Sequence, residues 1–204
     1  MRLAFAALPA TLLATALFTS TAAEAGGLGI LGTGGFYQER LYYYDEGDNN
    51  AQYKQSQIIG TGGTGLELVL GDRDDRIVGI ARTFWAFETP QQDPTDNLAE
   101  GVRPADVESN WRDETRHVGV FAVGLQGGII GDPSEAMLTV HGVVGSGFLT
   151  TDHTEYVYGE IGAGGTLRLS PSLEGYANVA AHMRFRKWAR GGMTGAVGLR
   201  VLFD

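Results

Sequence analysis

Leu173-Glu174-Gly175-Tyr176-Ala177-Asn178-Val179-Ala180-Ala181-His182-Met183-Arg184-Phe185 decides the fold class. The odd-numbered positions are apolar or glycine from end to end. The even-numbered positions, apart from Ala180, carry Glu174, Tyr176, Asn178, His182 and Arg184. A two-residue period puts these sets on opposite faces of an extended strand, whereas a helix would interleave them.

The same arrangement continues on both sides. Upstream, Val157, Gly159, Ile161, Ala163, Gly165, Leu167 and Leu169 alternate with Tyr158, Glu160, Gly162, Gly164, Thr166 and Arg168. Downstream, Met193, Gly195, Val197, Leu199, Val201 and Phe203 alternate with Thr194, Ala196, Gly198 and Arg200. A soluble sandwich also alternates. The difference lies in Glu and Arg at mid-strand on one face while the other face stays uncharged. In a lipid-immersed barrel the charged face lines the lumen and the apolar face meets acyl chains.

Turn chemistry divides the rest into segments 28–44, 54–70, 76–87, 115–130, 136–150, 154–169, 172–187 and 192–203. Most are longer than a globular strand of about 5–6 residues and suit the roughly 9–11 residues a membrane strand needs. Three connections are short: Gly71–Asp75, Gly131–Glu135 and Ser170-Pro171. The opposite side holds Asp45–Tyr53, the long Glu88–Glu114 loop, Thr151–His153 and Ala189–Gly191. An even strand number puts both ends on the short-turn side, as outer-membrane barrels require. Segments 76–87 and 115–130 are mixed on both faces, and their facing stays open.

The first residues read as an export signal. Arg2 precedes the apolar run Leu3–Phe18, and Ala23-Glu24-Ala25 offers a small-x-small cleavage site. The expectation is a signal peptide over 1–25 and one barrel domain over 26–204. The chain has no cysteine and a formal charge of −9. Without a basic stripe, nucleic acid is not an expected partner. Glycine contributes 31 of 204 residues, about twice the usual share of roughly 7%. These glycines sit among Val, Ile, Leu, Phe and Tyr, as in strands of narrow barrels rather than in disordered tracts.

Aromatics gather at one end of the strands. Tyr42, Tyr43, Tyr44, Trp85, Phe87, Phe148, Tyr156, Phe185 and Trp188 all fall at the external end of this topology and form the expected interfacial girdle. The lumen charge network is expected from Glu67, Glu160, Arg168, Glu174, His182, Arg184, Arg186 and Arg200, filling an interior only wide enough for side chains.

The closing stretch Met193-Thr-Gly-Ala-Val-Gly-Leu-Arg-Val-Leu-Phe203 and the strand-turn-strand Gly164-Gly-Thr-Leu-Arg-Leu-Ser-Pro-Ser-Leu-Glu-Gly-Tyr176 resemble the small outer-membrane barrels, the group that includes the OmpA transmembrane domain, OmpX and OmpW. The resemblance implies an all-β, eight-stranded antiparallel up-and-down transmembrane β-barrel. It also implies that Val201 and Phe203 serve as an assembly signal for the barrel-assembly machinery; here Asp204 follows the aromatic that usually comes last.

Chemical motifs are weak. Gly60-Thr-Gly-Gly-Thr-Gly65 matches the dinucleotide fingerprint, but Leu66-Glu-Leu-Val-Leu70 continues as a strand where a helix is needed. His117, His141, His153 and His182 lack zinc-motif spacing. Nothing orders His153, Ser146 and Glu155 into a nucleophile and its base. No cofactor, metal or enzymatic activity is expected. The expected partners are outer-membrane lipid and lipopolysaccharide, the assembly machinery, and a surface partner met through loop 88–114. The expected role is structural or surface-interacting. The rivals are a narrow pore, a lipid-modifying enzyme and a soluble periplasmic lipid-binding barrel.

Overall fold

The computed structural model describes residues 26–44, 52–72, 74–91, 115–149, 154–185 and 189–203. Eight strands run β1 (Gly26–Tyr44), β2 (Gln52–Leu70), β3 (Ile77–Pro90), β4 (Arg116–Asp132), β5 (Ala136–Leu149), β6 (Thr154–Ser170), β7 (Leu173–Phe185) and β8 (Ala189–Phe203). Each pairs antiparallel with the next, and β8 pairs with β1, closing the ring. The expected even-numbered, up-and-down barrel is therefore what the chain forms. The signal-peptide residues 1–25 lie outside the described residues.

The strands are staggered. Stepping across the ladder from Gly26 leads in turn to Leu70, Gly79, Leu125, Gly142, Ile161, Ala181 and Met193. The last step returns to β1 at Phe36 rather than Gly26, a shear of about 10 residues that tilts the strands and sets the width of the barrel.

Several boundaries differ from the sequence reading. β3 continues past Phe87 to Pro90, because its ladder with β2 runs on through Thr61–Glu88 and Ile59–Pro90. Glu88 is thus a strand residue, not the start of a loop. Ala189–Gly191, expected as a connection, belongs to β8 and pairs with β7 from Phe185 onward. Gly60–Gly65 lies inside β2, so the glycine-rich motif is strand.

The short connections are built by backbone-binding side chains. Gly71 and Gly131 hold φ of 137° and 107°, a region that favours glycine. Asp132 accepts hydrogen bonds from the Ser134 backbone N–H at 2.8 Å and from its hydroxyl at 2.7 Å. Those bonds favour the charged form and hold the Asp132 carboxyl below its ordinary range. The ladder is irregular between Gly128 and Ile130, and again between Arg168 and Ser170, both at the short-turn end.

Arg168, placed in the lumen network by the sequence, sits instead across this mouth. Its guanidinium donates to the carbonyls of Pro133 (2.9 Å) and Pro171 (3.3 Å) and lies 3.7 Å from Asp74. One side chain thereby ties three turns together. Arg168→Ala is expected to raise amide hydrogen exchange at Ser134, Glu135 and Ser172 on the order of tenfold while the barrel stays folded. Unchanged exchange in those turns would show the clamp to be idle.

Candidate functional site

Alternation assigns every described strand an inner and an outer face. On β6, β7 and β8 the odd positions face outward, with Ile161 71%, Val179 63% and Val197 63% exposed. The facing of β3 and β4 follows the ladder. Trp85 and Phe87 point out, while Ile80, Arg82, Ala86 and Glu88 point in. On β4, Phe121 and Leu125 point out, and Val118, Val120, Ala122 and Gln126 point in.

One side of the lumen is apolar. Val118, Val120, Ala122, Val143 and Ile80 pack there with Tyr158. The remainder is filled by charge. Glu67, fully buried, receives the Arg82 guanidinium and also Arg200 Nε at 2.8 Å. Arg82 donates its second arm to Glu160 Oε1 at 2.7 Å. Glu160 also meets His141 Nε2 at 2.8 Å and accepts from the Tyr158 hydroxyl. Arg200 reaches on to Glu174 (2.8 Å) and Gln126 (3.0 Å), and lies 4.2 Å above the Tyr176 ring.

These bonds cross the barrel. Arg200 on β8 reaches Gln126 on β4, the strand opposite it in the ring. Nearer the end opposite the short turns, Arg184 on β7 pairs with Glu88 on β3, again directly opposite. Tyr37 donates to the other oxygen of Glu88 at 2.8 Å, and Arg184 lies 4.4 Å over the Tyr37 ring and 5.2 Å from that of Tyr156. His182 fills the level between the two clusters, stacked on Tyr158 and edge-on to Tyr37. Taking each charge out of water costs several kcal/mol, recovered only through close pairing and hydrogen bonds. Here Glu67, Glu88, Glu160 and Glu174 each pair with an arginine.

Of the expected lumen residues, Glu67, Glu160, Glu174, His182, Arg184 and Arg200 converge as buried groups. Arg186 lies outside the described residues. Arg82, Glu88, His141, Tyr37 and Tyr158 were not anticipated as members. Arg82 and Glu88 fall six positions apart, an even spacing that places them on one face of β3, and that was the available signal.

Of the expected girdle, Trp85, Phe87, Phe148 and Phe185 face outward in the half of the barrel away from the short turns. Trp85 stacks on His117, donates to its Nδ1 at 3.3 Å, and meets Phe148 edge-on. Phe36 and Phe121 join this outer set. Phe148 lies across Gly119, its partner on β4, where a Cβ would meet the ring. Tyr156 corrects the reading: it is 8% exposed and faces the lumen, because it shares parity with Tyr158 and Glu160. It lies flat over Gly147, its ladder partner, which has no side chain to obstruct it. Tyr42, Tyr43 and Tyr44 belong to β1, but their side chains, and all of Trp188, lie outside the described residues. Val201 and Phe203 end β8 on the outer face.

The residues considered for hydrolysis do not gather. Ser146 and Glu155 face outward on β5 and β6, and His153 is outside the described residues.

No family model matches the chain, and no curated protein is detectably similar to it. The class to which it belongs is defined by its architecture alone: a closed, antiparallel barrel of eight strands.

Proposed function

We propose that this chain is an outer-membrane β-barrel of a Gram-negative envelope, with a structural or surface-interaction role and a lumen closed by paired charges. One observation carries the reading: polarity is inverted relative to a water-soluble protein. Leu, Ile, Val and Phe side chains cover the outer wall, while arginines and glutamates are buried. Among the described residues, the charged side chains that face outward within strands are confined to strand ends, as with Glu155 and Asp132. A continuous apolar surface of this extent is untenable in water, where monomers rarely expose patches above a few hundred Å². In lipid it is the required solvent match, and a closed ring leaves no strand edge to satisfy.

On this reading outer-membrane lipid and lipopolysaccharide surround the wall, and Val201 and Phe203 present the strand read by the assembly machinery. The longest connection joins β3 to β4 and is the surface for a partner; residues 92–114 of it lie outside the described residues. Fractionation tests the reading directly. The protein is expected in the outer membrane, released only by detergent, and migrating differently on denaturing gels before and after boiling. Recovery from the periplasm without detergent would end it.

The rival pore reading needs an open path. On the proposed reading the cross-lumen pairs of Glu67 with Arg82 and Arg200 block it, so the protein reconstituted in planar bilayers is expected to be electrically silent. A steady unitary conductance would replace the plug with a channel.

A further inference from the structure

A small void lies inside the lumen between Arg82 on one wall and Asn178, Ala196 and Thr33 on the other. The last three are direct ladder neighbours across β7, β8 and β1. Ala196, with only a methyl group, stands between two larger side chains and leaves a notch. The notch measures about 10 Å³, at the lower limit for holding a single water and too little for a hydrated ion.

Two of its lining residues each carry a buried polar atom without a protein partner: Arg82 Nη2 and Asn178 Oδ1. The first can only donate and the second can accept. Arg82 is 5% exposed, so bulk solvent does not reach it. Its other nitrogens are committed to Glu67 and Glu160, which fixes where Nη2 points. Thr194, also in the lining, gives its proton toward the Gly34 carbonyl at 3.4 Å and keeps its oxygen lone pairs available.

We propose that this void is a built hydration site, holding one ordered water that accepts from Arg82 Nη2 and donates to Asn178 Oδ1. The water completes the hydrogen bonding of the central arginine and links β3 to the opposite wall. Buried groups of opposite hydrogen-bonding sense around a water-sized hole are what retain such a molecule.

A crystal structure resolving solvent is expected to show a water within about 3.2 Å of both atoms. Oxygen-17 relaxation dispersion counts long-lived internal waters in the detergent-solubilised protein. Ala196→Val fills the notch, and is expected to remove one such water and lower the melting temperature, because Arg82 and Asn178 lose their bridge. Two results would overturn the proposal. One is an empty void in the wild-type density. The other is a valine variant that melts higher with the water count unchanged, as filling a dry hole does. If the variant does not fold, the wild-type density decides.

Discussion

Replacing Arg200 with methionine is expected to destabilise the folded barrel by about 3–5 kcal/mol, the cost of leaving a buried charge without its partner. Arg200 is 2% exposed and bridges Glu67, Glu174 and Gln126. With it, the carboxylates Glu67, Glu160 and Glu174 face the guanidiniums of Arg82 and Arg200. Without it, Glu67 and Glu160 depend on Arg82, and Glu174 has lost the arginine it pairs with. The measurement is a urea titration of the protein folded in lipid vesicles, followed by tryptophan fluorescence. The double variant Arg200→Met with Glu174→Gln removes one charge of each sign and is expected to recover a large part of the loss. If the double variant is no more stable than the single one, packing of the long arginine stem over Tyr176 matters and the charge balance does not.

Val179→Arg is expected to cost about 2–4 kcal/mol if the outer wall faces lipid, since Val179 sits mid-strand and points outward. Leu169→Arg, outward at the short-turn end of β6, is expected to cost only about 0–1 kcal/mol, as near an interface. The contrast between the two positions is the informative quantity. In water both substitutions would fall within about 0.5 kcal/mol of the parent, because each adds a solvated side chain to an exposed site. Equal, near-zero effects in the vesicle titration would remove the membrane from the account.

The parts of this barrel that can be read from sequence are those where the lumen is charged. On β6, β7 and β8, Glu160, Glu174, Arg184 and Arg200 mark the inner face without ambiguity. On β4 that contrast vanishes, because the lumen there is lined by Val118, Val120 and Ala122. Both faces are then apolar, and hydrophobicity cannot tell lipid from core. Glu88 resembled a loop residue since it follows the aromatic Phe87. Its partner Arg184 lies almost a hundred positions away, and only ring closure brings β3 opposite β7. Tyr156 was legible from parity alone, but its place near the strand end suggested a girdle residue. Arg168 read as a lumen charge, and the irregularity in the ladder beside it carries no sequence mark strong enough to reveal the turn clamp.

The pairing of Gly26 with Phe203 has a kinetic implication. The two strands that complete the ring are the first and last of the eight, so the wall has a gap until β8 arrives. Hairpins can form early from neighbouring strands, yet closure must overcome the entropy of bringing the most distant segments together. Until then β1 and β7 each present a bare row of amides and carbonyls. Such rows invite pairing with other chains, and an unclosed intermediate needs shelter from its own copies while it waits for its last strand.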